Sequence, residues 1–283
     1  MTIELRQATA ADVPELGRIV YEAFKDIAES HGFPPDFPSV EFAAGVTGLL
    51  IQQEQVYSIA AVDGDAPKGS NHLEMWDDVA GIGPISVDLG AQGGGIGKAM
   101  MEDVIKHARE SGFDRVRLMQ DAFNMRSLAL YASLGFDVKE PVAYLELNPA
   151  IGAHANVRPA TPADFDAMDA LCREIYGISR KNEIATLTQA GFPAFVFDDG
   201  RVRGYLGATA IGHGVAESDD VMLSLYASLA GTVPDSMSNL PMRSGELYRR
   251  ALHAGHRNRK VMNLMAIGPY DDPKGTWVPG VLF

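Results

Sequence analysis

The sequence predicts an α/β (α+β) protein built as two domains in tandem. Three observations carry this expectation. A β-rich run from Gly81 to Val87 feeds a glycine-rich turn, and the turn opens a helix whose apolar residues Met100, Met101, Val104, Ile105 and Ala108 fall at three-and-four spacing. Strand-like and helix-like patterns alternate over the first 147 residues. Finally, Leu5 to Asp12 returns as Val157 to Asp164 with five of eight positions identical, the mark of an internal repeat.

Taken in order, Ile3 to Ala8 alternates as a strand, and Thr9 caps a helix with Val13, Leu16, Ile19, Val20 and Phe24 on its apolar face. Prolines 34, 35 and 38 make His31 to Pro38 a loop, and Val40 to Ile51 is a second helix. Gln55 to Val62 and Gly69 to Trp76 read as strands around the turn Asp63-Gly64-Asp65. After the glycine loop come a helix over about 97 to 111, a strand from Phe113 to Gln120, another helix, and a final strand pair from Phe136 to Leu147.

Glycines 93, 94 and 95 let backbone N–H groups turn toward a ligand, because no Cβ blocks the approach. The first-turn amides of the following helix lack partners and carry the positive end of its dipole, which suits a phosphate. A nucleoside-triphosphate loop fails: Gln92 stands where its first glycine belongs and Ala99 where its magnesium-binding hydroxyl belongs. A dinucleotide fingerprint fails too, since Lys98 takes the place of its third glycine.

The pattern present is Gln-x-x-Gly-x-Gly, formed by Gln92, Gly95 and Gly97, and it resembles the pyrophosphate loop of the GCN5-related N-acetyltransferase (GNAT) family. Downstream, Asn124, Ser127, Tyr131, Gly135 and Phe136 match that family's Asn-x-x-Ser/Ala-x-x-x-Tyr-x-x-x-Gly-Phe helix, so the resemblance covers residues 81 to 147. It implies GNAT-like domains, each a mixed, mostly antiparallel twisted sheet flanked by helices. It also implies acetyl-CoA as cosubstrate and no metal. The residues it assigns to the cofactor are Ser86, Val87, Gln92, Gly93, Gly94, Gly95, Ile96, Gly97, Lys98, Asn124, Ser127 and Tyr131.

The same resemblance implies transfer of an acetyl group to a primary amine of a small molecule or protein, by direct attack in a ternary complex. Backbone N–H groups near Val87 to Leu89 would polarise the carbonyl, and Tyr131 would serve the departing thiolate, with Asn124 beside it. For Asn124 the competing role is a helix N-cap. The base is open between Glu74 and Asp88, with His72 and Asp121 nearby, and each of these also reads as an ordinary solvated residue. The alternative function is a non-catalytic acyl-CoA binding or sensing protein that keeps the loop and lacks a productive base.

These patterns divide the chain into an acetyl-CoA-binding domain at 1–147, a linker at 148–156 and a degenerate GNAT-like domain at 157–283. A second echo, Met125-Arg126-Ser127 against Met242-Arg243-Ser244, supports the repeat. Arg6 to Tyr131 spans 125 residues and Arg158 to Tyr248 only 90, so the anion loop and its helix are expected to be missing from the second copy. No second Gln-x-x-Gly-x-Gly follows residue 150. The short linker implies rigidly packed halves with a substrate cleft between them.

A net charge of −13 repels nucleic acid and membrane phosphates and tolerates a cationic amine. No targeting segment and no long apolar run is seen, so a cytoplasmic monomer or homodimer is expected. The single cysteine, Cys172, lies among apolar helix residues and reads as core.

Overall fold

The computed structural model describes residues 2–208 and 211–281. In chain order the first elements are β1 (Ile3–Gln7), α1 (Val13–Ser30), α2 (Val40–Gln52), β2 (Val56–Asp63), β3 (Ala66–Glu74), β4 (Ala80–Ile82), β5 (Ser86–Val87) and α3 (Ile96–Glu110). Then follow β6 (Val116–Asp121), α4 (Met125–Ser133), β7 (Asp137–Glu146), β8 (Val157–Pro159), α5 (Phe165–Tyr176), α6 (Lys181–Gln189), β9 (Ala194–Asp198) and β10 (Val202–Gly207). The last are β11 (Gly214–Ala216), α7 (Asp219–Thr232), β12 (Met237–Pro241), α8 (Gly245–His253), β13 (Arg257–Ile267) and β14 (Thr276–Val278). No described helix is long and apolar enough to cross a membrane.

Contacts gather these elements into two compact units. One holds the residues up to Met75 with Ala80–Val116 and Phe123–Phe136. The other holds Trp76–Val79, Arg117–Ala122 and the chain from Asp137 on, so it draws strands from both halves of the sequence.

In the first unit α1 starts where Thr9 donates its N–H and hydroxyl to Asp12 at 2.8 and 2.9 Å while Arg6 grips the same carboxylate at 2.7 and 2.8 Å. The Arg6 guanidinium and then the Thr9 donors hold the Asp12 carboxyl down at about 2. Antiparallel pairing orders the strands β1-β2-β3-β4, and β5 pairs β3 with Ser86 opposite Ser70 and Val87 opposite Gly69. Leu16 and Ile19 of α1 pack on Ala60 and Val62, whereas Asn71 on the opposite face of β3 reaches Met101 of α3. Gly17 lets α1 approach α2, since a Cβ there would sit 2.5 Å from Ala44.

The run from Gly81 to Val87, expected as one strand, is two short ones separated by a cis Gly83-Pro84 bond. Pro84 has no N–H to give the ladder, so pairing stops and resumes at Ser86.

In the second unit β7 is flanked on both edges, by β13 and by β12, each antiparallel to it, and β6 continues the ladder beyond β13. The strand pair expected over Phe136 to Leu147 is therefore a single ten-residue strand, because both of its edges already have partners. A second sheet runs β14-β11-β10-β9-β8. Between these layers Cys172, Tyr205, Val215 and Trp277 form one core cluster and Leu225, Tyr226, Leu240 and Phe195 another. Cys172 is buried, and desolvation pushes its thiol up to about 12.

The sequence echo has a geometric counterpart. Thr161, Asp164 and Arg158 repeat the opening of α1 at the start of α5, with Thr161 N–H and hydroxyl at 2.7 and 2.9 Å and Arg158 at 2.8 Å.

Candidate functional site

Each piece of the glycine loop is fixed by local geometry in the first unit. Gly69 permits the β3–β5 contact, where a Cβ would meet the Ser86 carbonyl at 2.5 Å. After Val87, Asp88 accepts from Gly90 N–H at 3.0 Å and from Arg18 at 3.1 Å, which holds the turn 89–91 against α1. Gln92 Nε2 donates to the Val87 carbonyl at 3.2 Å, and its Oε1 accepts from Arg126 Nη1 at 2.5 Å. Gln92 thus bridges the end of the strand and the first turn of α4.

Gly93 and Gly95 take φ values of 82° and 84°, a left-handed conformation that glycine enters without penalty. Gly95 is the N-cap of α3 and offers no side-chain acceptor to the helix amides. Those amides therefore open onto an exposed loop of three glycines, with Lys98 also exposed, 3.7 Å from Glu102. At Gly97 a Cβ would face Leu130 and Val87 at 3.7 and 3.8 Å, while Ile96 anchors the helix start in the core. Backbone N–H groups arranged in this way suit an anion.

On α4, Asn124 Oδ1 accepts from Ser127 N–H at 3.1 Å and Ser127 Oγ donates back to the Asn124 carbonyl at 3.0 Å. Both side chains start the helix. Tyr131 is buried and meets Phe136 edge-on at 6.1 Å.

Glu74 and His72 are not the solvated residues that their polarity suggests; both are fully buried. β3 is paired along both edges and lies between α1 and α3, so its later residues, Gly69 to Glu74, are buried. Ser58 Oγ lies 2.8 Å from His72 Nδ1, and burial pushes that imidazole down to about 4, leaving it neutral at pH 7. Asp121, in the second unit, lies 2.7 Å from Lys260 Nζ.

Sequence patterns alone passed over Gly69, Arg18 and Arg126. Arg126 carried a signal, because it belongs to the repeated Met-Arg-Ser. Gly69 acts through its contact with Ser86 and Arg18 through its reach to Asp88, both distant in sequence.

The second unit also holds the element expected to be missing: after β11, α7 stands where α3 follows β5. The shortening comes partly from the link before that helix, two residues at 217–218 against eight at 88–95, and partly from trimmed elements, with 12 residues in α5 against 18 in α1, and five and six in β9 and β10 against eight and nine in β2 and β3. Ser218 caps α7 by accepting from Val221 N–H, and Asp219 and Asp220 fill its first turn. Thr276 of β14 donates to Asp219 at 2.7 Å, β14 pairs with β11, and Asn239 of β12 donates to the Pro279 carbonyl at 3.0 Å. The start of α7 thus carries two aspartates, and β11 is paired along both edges.

Residues 17–136 match the family model described as Acetyltransferase (GNAT) family. Among curated proteins, mycothiol acetyltransferases of Saccharomonospora viridis and Beutenbergia cavernae are 39% identical over 56 residues and 41% identical over 76 residues. Those stretches cover 20% and 26% of this chain and only 18% and 26% of the relatives. Among solved structures, a Pyrococcus horikoshii protein provisionally named an acetyltransferase superposes with TM-score 0.78 at 17% identity, covering 99% of this chain and 94% of that one. A GCN5-related N-acetyltransferase from Sphaerobacter thermophilus gives TM-score 0.62 at 18% identity over 97% and 98% of the two chains. At these identities the shared property is the fold.

Proposed function

We propose that residues 17–136, which match the family model described as Acetyltransferase (GNAT) family, form an acetyltransferase domain, and that the chain is an acetyl-CoA-dependent N-acetyltransferase acting on a primary amine of a small molecule or protein. The observation that carries this reading is the uncapped start of α3 behind Gly93, Gly94 and Gly95. Those amides, with Gln92, Ile96, Gly97 and Lys98, suit a pyrophosphate, and the backbone of Ser86 and Val87 suits an amide-bearing arm.

The amine nitrogen attacks the thioester carbonyl carbon, the carbon–sulfur bond breaks, and the sulfur leaves with a proton. Tyr131 supplies that proton or hydrogen bond, and Asn124 and Ser127 hold its helix in place. N–H groups near Val87 to Leu89 stabilise the charge developing on the carbonyl oxygen. The proton lost by the amine goes to a carboxylate, for which Glu74, fully buried, and Asp88, held by Arg18, are the two candidates. The second copy, residues 157–283, serves as a degenerate partner without a cofactor, because Asp219, Asp220 and β14 fill the corresponding place.

Calorimetric titration with acetyl-CoA followed by an amine acetylation assay tests this reading. Binding at one site per chain with turnover supports it. Binding without turnover moves the assignment to an acyl-CoA sensor, and the absence of binding removes it.

A further inference from the structure

β1 is an edge strand. Among the described residues it pairs with β2 alone, which leaves one side of its five residues, Ile3 to Gln7, open. Ala8 N–H donates to the Ser58 carbonyl at 2.9 Å, so the even-numbered residues turn their backbone groups to β2 and Ile3, Leu5 and Gln7 turn theirs away. In keeping with this, the Gln7 carbonyl accepts from the Arg6 side chain rather than from β2. A row of outward N–H and carbonyl groups is a template for another strand.

The second copy closes the same edge. There β8 keeps only three residues, Val157 to Pro159, and Ala160 N–H donates to the Ala194 carbonyl, so residues 157 and 159 face outward. Val157 N–H is taken by the His154 carbonyl at 3.0 Å. Pro159, which stands where the first copy has Gln7, has no N–H to offer. Arg6 and Arg158 grip Asp12 and Asp164 alike, so the two copies differ at the open edge and not in the helix start beside it.

The side chains of β1 say which strand fits. Glu4 and Arg6 stand either side of Leu5 in the chain and share one face, with Ile3 and Leu5, both partly exposed, on the other. A second β1, turned antiparallel about Leu5, sets each Glu4 opposite Arg6 of the other copy and Leu5 against Leu5. The same register matches every outward group, for about six N–H···O bonds. Centring on Ile3 or Gln7 loses the charge pairs and part of the ladder, and a slip of one residue sets outward groups against inward ones.

We propose that the chain forms a two-fold dimer in which β1 pairs with β1 of a second copy, joining their β1-β2-β3-β4 ladders. This interface is independent of the acetyltransferase reading. A five-residue ladder is small, so the dimer is weak, with Kd in the range of roughly 10–1000 µM.

Sedimentation equilibrium of the full chain over about 5 µM to 1 mM tests it. The wild-type mass rises from monomer to dimer across that range. Glu4→Lys sets like charges opposite each other, and Gln7→Pro installs the residue of the second copy, removing an outward N–H without touching a bond to β2. Each raises Kd by about tenfold or more while the melting temperature stays near that of the wild type. If Gln7→Pro does not fold by circular dichroism, Glu4→Lys, at an exposed side chain, decides alone. A wild-type protein that stays monomeric throughout overturns the proposal, and so does a folded variant that dimerises as the wild type does, since the contact then lies elsewhere.

Discussion

Tyr131 lies buried on α4 behind a helix start that Asn124 and Ser127 tie together, and its phenol is the one acid the transfer reading requires. Tyr131→Phe should lower kcat by roughly a hundredfold, with a much smaller change in KM, in steady-state assays. An unchanged kcat would leave Tyr131 with a packing role alone. Asp12 permits a prediction about pH. Its folded value of about 2 lies below the ordinary 3.8, so its contribution to stability is fully present above pH 4 and is lost as pH falls toward 2. Asp12→Asn should lower the melting temperature at pH 7 and flatten its decline between pH 4 and 2. The helix start at Thr9 was legible in the sequence because capping is local, and motif spacing alone singled out Tyr131. The burial of Glu74 and His72 was not, since it depends on the strands and helices that later close over β3.

At the scale of elements, the loop from Asp88 to Gly97 was legible because conformation there follows residue type: left-handed φ at Gly93 and Gly95 admits little else. Gly95→Ala should cost about 1–2 kcal/mol of stability and weaken acetyl-CoA binding about tenfold, measured by thermal melts and calorimetry. Affinity equal to the wild type would mean that the loop does not hold the ligand. What the sequence hid is pairing at a distance. The break in pairing at Pro84, before the loop, is seen in the registers of β4 and β5 on β3. Helix α7 escaped notice because Ser218 and two aspartates start it without any glycine signature.

For the whole molecule, the repeat was readable from Arg6-to-Asp12 and its echo Arg158-to-Asp164, and the matching cap geometry follows from the shared residues. The prediction at this scale is stoichiometric: titration should give one acetyl-CoA per chain, and Asp219→Asn/Asp220→Asn should not raise it while β14 stays paired with β11. Two sites in the wild-type protein would show that the second copy is competent.

The position of β7 bears on how such a chain can come apart. It is encoded before residues 148–156, the expected linker, yet both of its edges are hydrogen-bonded to strands encoded after them. A protease that nicks the linker should leave two fragments that co-elute, held by the ladder and separable only under denaturant. A gene cut at the same point should give a first fragment with two bare strand edges, prone to aggregate. The two sequence copies are thus no longer interchangeable modules: whatever ancestry they share, recombination at their boundary has become costly.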